Sequence, residues 1–210
     1  MKLTKYEHAC AIVENEQGEK VIIDPGVFTN LPNNLNNIIA VVITHVHPDH
    51  FFPDNIGKIL DQSPELKIYG PVEVTEKMET AINPDKNKTY NAGQFKLEFY
   101  GDKHEFIREG IPIINNLGVI IDNRVAYPGD SYYQHEKEID YLLTPASAPW
   151  LRMKEASEYV AEAKAKNIIP THDAMLSDIG KSTYDNHLSS VASNNGKTYI
   201  RLDIGKEFNL

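Results

Sequence analysis

The sequence predicts an α/β fold in which strands and helices form separate layers. Apolar, largely β-branched runs at residues 41–43 and 117–121 are typical of buried strands. Stretches rich in Ala, Glu and Lys, such as residues 154–166, favour helix and alternate with those runs along the chain. A chain of 210 residues can bury one good core, and its composition shows no break. We therefore expect a single domain over residues 1–210.

The first predicted unit is a β-hairpin. Residues 9–13 and 20–23 are apolar runs separated by residues 15–18, which read Asn-Glu-Gln-Gly. His8 opens the first strand, either as an edge residue or near a pocket, and we give it no metal-binding role. Asp24 ends the second strand in an Asp-Pro-Gly turn.

Helices and strands then alternate through the middle of the chain. The Asn- and Pro-rich residues 28–37 are expected to be a loop. Residues 54–60 and 72–82 are predicted as helices, the second with Pro71 at its first position, and residues 67–70 as a strand between them.

Three later strands each lead into a polar side chain. Residues 94–100 alternate between apolar and polar and precede His104. A hairpin with the tight turn Asp122-Asn123 runs into Asp130. A third strand, over residues 167–172, ends in His172. Each of these side chains taken alone would be an ordinary histidine or turn-forming aspartate.

The densest group of metal-binding side chains is His45-x-His47-x-Asp49-His50, which follows the apolar run 41–43. Two residues apart on an extended backbone, His45 and His47 point the same way and can share one ion. Pro48 forces a turn, so Asp49 and His50 can face a neighbouring ion. Four ligand-type residues in six positions indicate a metal site.

This pattern resembles the HxHxDH signature of the metallo-β-lactamase-fold hydrolases. The resemblance implies a four-layer αββα sandwich whose two metals are completed by a third His, a bridging Asp and a last His, each past a later strand. It implies that one ion binds His45, His47 and His104. The second ion binds Asp49, His50 and His172, and Asp130 bridges the two. The resemblance also implies that Asp24 supports the site from behind the ligands.

The implied ligand set predicts hydrolysis, with Asp49 and Asp130 as the candidate catalytic residues. Two divalent ions sharing a water would lower its pKa from that of bulk water towards neutrality, giving a hydroxide nucleophile. Zn²⁺ suits an imidazole-rich set best, and Mn²⁺ or Fe²⁺ also fit because the set has no thiolate. We expect a small-molecule ester, lactone or phosphoester as substrate. A phosphodiesterase or nuclease of the same fold, and a non-catalytic metal-binding protein, are the alternatives.

Departures from individual branches of the family bear on the substrate. His104 is followed by Glu105-Phe106 and not by the Thr-Pro-Gly-His run of glyoxalase II-like members, and we expect no C-terminal helical domain, which argues against a thioesterase. His47 stands where flavodiiron oxidoreductases have Glu, which argues against redox work. True β-lactamases usually lack the bridging Asp. The chain looks most like the compact branch that includes ascorbate phosphate lactonases and uncharacterised bacterial metal-dependent hydrolases.

Composition bears on partners and location. A net charge of −9, with no extended basic arm like that of the tRNA-processing endonucleases, argues against nucleic acid, while small anionic substrates fit beside bound cations. With 41% hydrophobic and 24% charged residues the chain reads as soluble, and no apolar run approaches the roughly 20 residues of a membrane span. A single cysteine, Cys10, and no signal peptide at residues 1–8 predict a cytoplasmic protein without membrane partners. A homo-oligomer is left open.

Several further aromatic side chains remain without an assigned role. Tyr132, Tyr133 and His135 follow Asp130 and either line a pocket or pack in the core. The only tryptophan, Trp150, lies in a loop of small residues. His187 follows no predicted strand and is expected on the surface.

Overall fold

Fourteen strands and four helices make up the chain, and the computed structural model describes residues 1–210. The strands of the first half are β1 Lys2–Lys5, β2 Ala11–Glu14, β3 Lys20–Ile23, β4 Ile38–Val42, β5 Lys67–Tyr69 and β6 Ala81–Ile82. Those of the second half are β7 Thr89–Ala92, β8 Phe95–Tyr100, β9 Gly118–Ile121, β10 Val125–Tyr127, β11 Ile139–Pro145, β12 Ala165–Thr171, β13 Thr198–Tyr199 and β14 Glu207–Asn209. The helices are α1 Pro53–Gln62, α2 Val72–Lys77, α3 Met153–Glu162 and α4 Asp178–Asn194. None of them is long and apolar enough to cross a membrane.

The strands pair into two sheets of seven, in the orders β14-β1-β2-β3-β4-β5-β6 and β13-β12-β11-β10-β9-β8-β7. One half of each sheet is parallel, from β3 to β6 in the first and from β10 to β13 in the second. Because the carboxyl ends of parallel strands meet at one edge of a sheet, the segments that leave β3, β4, β10 and β12 come close together.

Alternation along each strand divides its side chains between an inner and an outer layer. In β3, Val21 and Ile23 lie in a cluster of 21 buried residues between the two sheets. Ile22 lies in a separate cluster of 12, where it shares the outer layer with Ile56 and Ile59 of α1. The second sheet behaves likewise, with an outer cluster of 15 under α3 and α4. This is the four-layer αββα sandwich, so the predicted fold class is confirmed.

The elements near the middle of the chain differ in part from the sequence prediction. The predicted hairpin is confirmed, with β2 and β3 antiparallel and Ile12 opposite Ile22. The helix predicted over residues 72–82 ends at Lys77, because residues 81–82 pair with β5 as strand β6. The helix predicted over residues 154–166 ends at Glu162, since Ala165 already pairs with Ile139. Sheet pairing outweighs helix propensity at both places.

The two chain ends hold elements that the sequence analysis did not predict. Strand β1 pairs with β2 on one side and with β14 on the other, so both ends of the chain meet at one sheet edge. Helix α4 covers the second sheet, and His187 lies exposed on it, as expected. His8 does not open a strand but lies in the turn between β1 and β2.

Candidate metal centre

All seven predicted ligands lie at one edge of the sandwich, each just past a strand end. His45 to His50 follow β4, His104 follows β8, Asp130 follows β10 and His172 follows β12. Their ligand atoms form overlapping groups within 4.8 Å of one another: His45, His47 and His104; His8, Asp49, His50 and His172; and His45, His50 and Asp130. The structure thus brings together every predicted ligand and adds His8.

His45, His47 and His104 form the three-histidine group. Their ring centroids are 4.7, 4.8 and 4.7 Å apart, a nearly equilateral triangle. His45 and His104 are buried, and His47 is half-buried at the open side. Such a tripod of imidazoles can hold a metal ion with three ligands and one side left free.

Asp49, His50 and His172 form the aspartate group. The Oδ2 atom of Asp49 lies 3.5 Å from Nε2 of His172 and 3.8 Å from Nε2 of His50. His8 lies behind this group, with its Nε2 3.0 Å from the same Asp49 oxygen. A place near the pocket was one of the two alternatives left open for His8, but no contact with the ligands was predicted. A single histidine in a turn has no spacing that points to Asp49, 41 residues away.

Asp130 stands between the two groups. Its Oδ1 is 3.4 Å from Nε2 of His50, while its Oδ2 is 3.1 Å from Nε2 of His172 and 3.4 Å from Nε2 of His104. Trp150 donates a hydrogen bond of 2.9 Å from Nε1 to Asp130 Oδ2. The only tryptophan of the chain therefore contacts the carboxylate that touches both groups, a contact with no counterpart in the sequence pattern.

The hydrogen bonding of the buried histidines is typical of metal ligands. In His45, His50, His104 and His172, Nε2 is buried and has no hydrogen-bond partner. The other ring nitrogen, Nδ1, has a hydrogen-bond partner in each case. It lies 3.0 Å from Thr44 Oγ1 in His45 and 2.7 Å from Asp24 Oδ2 in His50. In His104 and His172 it lies 2.6 Å from a backbone carbonyl oxygen, that of Glu105 and that of Ser147 respectively. A buried polar atom without a partner costs about 1–3 kcal/mol, a cost that a bound cation removes. These residues therefore fit divalent metal ions.

A buried aspartate, Asp24, holds the backs of the ligands in place. It accepts hydrogen bonds of 2.7 Å from the Thr44 amide, the Thr44 hydroxyl and His50 Nδ1. The loop after Asp24 lies against the motif, since a Cβ at Gly26 would sit 1.8 Å from the carbonyl oxygen of Asp49. Only glycine fits at that approach. The contacts of Asp24 are those expected of a group that supports the ligands.

The electrostatics of the two groups differ. Burial, with His50 nearby, lowers the pKa of His45 well below its ordinary value and keeps that ring neutral. Burial also opposes charge on His172, but the Asp130 carboxylate outweighs it and raises the pKa of His172. The same contact, with His50, holds the pKa of Asp130 well below its ordinary range despite burial. Asp130 is therefore an anion, the form in which a carboxylate between the two groups can bind cations.

The aromatic residues after Asp130 pack in the outer layer of the second sheet. Tyr132 lies 5.2 Å from Trp150 between ring centroids, and His135 lies 5.4 Å from Tyr100. Tyr133 is exposed. Of the two alternatives left open for Tyr132 and His135, the structure favours packing.

Comparison with known proteins identifies the family. A family model described as "Beta-lactamase superfamily domain" matches residues 2–172. The chain belongs to this superfamily, and together with the His/Asp cluster this membership fits a metal-dependent hydrolase.

Three individual relatives illustrate the similarity. Protein Rv0786c of Mycobacterium tuberculosis is 25% identical over 199 residues, which cover 92% of this chain and 93% of that protein. Igni18, a metallo hydrolase from the archaeon Ignicoccus hospitalis, shares the fold with a TM-score of 0.73 at 18% identity, covering 100% of this chain and 98% of that one. Hydroxyacylglutathione hydrolase of Glaesserella parasuis is 25% identical over 119 residues, 55% of this chain and 46% of that enzyme. The narrower resemblance to ascorbate phosphate lactonases stays a prediction.

Proposed function

We propose that this protein is a hydrolase with two divalent metal ions, zinc by preference, acting on an ester, lactone or phosphoester bond of a small molecule. One ion binds the three-histidine group and the other binds the aspartate group, with Asp130 between them. The observation that carries the proposal is the convergence of four buried, unpartnered Nε2 atoms around one carboxylate. Membership of the superfamily and the metallo hydrolase Igni18 support it.

The chemistry divides between the ions and the chain. Two bound divalent ions supply the acidity that makes a water nucleophilic near neutral pH and the charge that polarises the scissile group. The chain fixes the imidazoles through Asp24, Thr44 and backbone carbonyls, so their lone pairs point at fixed positions. Substrate approaches from the side of His47 and Asp49, because these two ligands are partly exposed while the others are buried.

A thiol nucleophile does not fit this protein. Cys10 is the only cysteine, it is fully buried, and burial raises the pKa of its thiol far above the ordinary value. A protonated thiol in a core layer neither reaches a substrate nor attacks it. The proposal therefore places the nucleophile at the metal centre.

The amino-acid composition supports a proposal for the compartment and the type of substrate. We take residues 1–210 as one hydrolase domain that works in the cytoplasm on a small and, with cations at the site, anionic substrate. The net charge of −9 supports a small molecule over a nucleic-acid backbone.

Metal analysis combined with a substrate panel tests the proposal. Purified protein loaded with Zn²⁺, Mn²⁺ or Fe²⁺ is assayed for metal content and for turnover of an ester, a lactone series and bis(p-nitrophenyl) phosphate. We expect about two ions per chain and turnover that stops on chelation and returns on reloading. His187→Ala, which removes an exposed histidine that belongs to none of the ligand groups, is the matched control and should keep both properties.

The outcome separates the alternatives. Turnover of the phosphate diester with inert lactones would assign a phosphodiesterase. Two bound ions with no turnover of any substrate class would favour a non-catalytic metal-binding protein and would sink the hydrolase proposal.

A further inference from the structure

His8 has a backbone conformation that its position in a turn does not explain. Its φ of +59° lies in the left-handed region, where a residue with a side chain is disfavoured by about 1–2 kcal/mol. Turns place glycine or asparagine there, with the side chain in solvent. The His8 side chain instead points inward and is 0% exposed. A strained backbone conformation persists only where surrounding contacts stabilise it, so the contacts of His8 must hold this conformation.

The closest contacts of His8 are with the aspartate group, and Phe28 adds one from outside it. Its carbonyl oxygen accepts a 2.8 Å hydrogen bond from the amide of His172, a second left-handed residue with φ +60°. Its ring packs on the ring of His172 with centroids 3.8 Å apart. Phe28 covers the outer side of the His8 ring, edge-on at 5.1 Å. His8 is thus fixed from three sides against the aspartate group.

The hydrogen bonding of His8 is the reverse of that of the ligand histidines. The four buried ligand histidines anchor Nδ1 and leave Nε2 without a partner. His8 leaves Nδ1 without a partner and uses Nε2, 3.0 Å from Asp49 Oδ2. Because a carboxylate can only accept, the ring proton is on Nε2, and this N–H donates a hydrogen bond to Asp49. His8 therefore acts on Asp49 and leaves the ion to the other residues.

Asp49 depends on this contact for its orientation. The His8 contact is the shortest that its carboxylate makes, since Nε2 of His172 and Nε2 of His50 lie 3.5 and 3.8 Å away, and its side chain is 24% exposed. Asp130, by comparison, is almost fully buried and accepts a hydrogen bond from Trp150. A partly exposed carboxylate with one hydrogen bond is free to rotate once that bond is lost, which costs rotamer entropy when an ion binds.

We propose that His8 is a positioning residue of the aspartate group, holding Asp49 through its Nε2 hydrogen bond so that this half of the centre binds its ion tightly. The inference rests on the proposed two-metal function. It concerns one group only, because His8 does not contact the three-histidine group.

Two substitutions of His8 separate the hydrogen bond from the bulk of the ring. His8→Phe keeps a planar ring of similar size and removes the donor. His8→Gln keeps an N–H donor where Nε2 was and removes the ring. Both substitutions introduce a side chain on the same left-handed backbone, so a loss in His8→Phe that His8→Gln recovers reports the hydrogen bond. Phe28→Leu, which alters the packing on His8 from the solvent side, is the matched control.

Stepwise binding of Co²⁺ against a competing chelator, followed by visible absorption, measures the affinity of each group. Spectra of His104→Ala and His172→Ala assign the two steps. We expect the aspartate group of His8→Phe to bind about 10–100-fold more weakly. The three-histidine group should change by no more than about twofold, as a site without shared partners does. His8→Gln should recover most of the loss, and Phe28→Leu should resemble the wild type.

Each other outcome overturns the inference in a recognisable way. If the aspartate group of His8→Phe binds Co²⁺ as tightly as the wild type does, the hydrogen bond does not contribute to metal binding. Equal weakening of both groups would show a general structural role. His8→Gln as weak as His8→Phe would show that the N–H donor alone does not hold Asp49, which overturns the proposed positioning role. Wild-type protein that binds fewer than two ions would overturn the proposed function and this inference together, whereas two ions with an unaffected His8→Phe overturn the inference alone.

Discussion

The two halves of the metal centre are built in different ways. The three-histidine group takes two ligands from one short loop and the third from the end of β8, and its rings form a regular triangle without a carboxylate. The aspartate group joins the motif to the first and last thirds of the chain through His8 and His172, both in left-handed conformation. The first half thus takes two of its three ligands from one local segment, whereas the second depends more on tertiary contacts that distant substitutions can disturb.

A buried ion pair ties the aspartate half to the chain termini. Lys5 is 1% exposed and lies 3.0 Å from Asp173, the residue after His172. Arg201 binds the other oxygen of Asp173 and also binds Asp185 of α4. Nothing equivalent stands behind His47 of the three-histidine half. This difference makes the comparison testable by substitution.

Removal of one ligand from each half should have the largest effect. His104→Ala and His172→Ala should each lower hydrolysis by roughly 1,000-fold or more, since each loses several kcal/mol of the stabilisation that its ion provides. Each variant should keep the fold and about one ion. Turnover, metal content and circular dichroism measure this, with His187→Ala as control, and full activity in either variant would remove that residue from the centre.

Asp173→Asn should have the next largest effect, on stability. Removing one partner of a buried pair leaves Lys5 uncompensated and should lower the free energy of unfolding by about 3 kcal/mol. Urea unfolding of the metal-free protein measures this. Glu158→Gln, which breaks the exposed pair with Lys154, should change stability by less than about 0.5 kcal/mol. Equal effects of the two substitutions would show that the buried pair does not secure this half.

Asp130→Asn tests the carboxylate between the halves. The substitution keeps the shape and removes a negative charge from between two cations, so the second ion should bind more weakly. At limiting metal we expect activity to fall by up to about 100-fold, with partial recovery as added metal refills the site by mass action. If the metal titrations of wild type and variant superimpose, Asp130 is only a turn residue.

Trp150→Phe should have the smallest effect of the series. Phenylalanine keeps the packing against Tyr132 but loses the 2.9 Å hydrogen bond to Asp130. Because Asp130 touches both groups, both ions should bind more weakly, each by about 10-fold. Isothermal titration with Zn²⁺ measures this. A loss confined to one ion would show that the hydrogen bond from Trp150 supports only one of the two groups.

The sequence was most informative where ligands lie close in the chain or directly follow a strand. His45 to His50 stand in one segment, whose spacing alone indicates a metal site. The family resemblance of that segment then implied His104 and His172, which follow apolar strands. His8 could not be found in this way, because its inward position depends on a left-handed turn and on a contact 41 residues distant. The role of Trp150 could not be predicted for the same reason, since its hydrogen bond to Asp130 depends on tertiary packing.

The predicted ends of two helices were wrong for a different physical reason. Residues 81–82 and 165–166 carry helix-compatible sequence, yet both become strand because a neighbouring strand offers hydrogen bonds there. Those partners are remote in sequence, so local propensity cannot reveal them. Helix α4 has only two buried residues, Leu188 and Ala192, which leaves little apolar periodicity to recognise.

Anomalous diffraction at the zinc edge from crystals of the zinc-loaded protein tests the central claim most directly. The account predicts two separate peaks, one among His45, His47 and His104 and the other among Asp49, His50 and His172, with Asp130 between them and His8 in contact with Asp49 and not with the ion. A single peak, or a second peak away from the aspartate group, would contradict it.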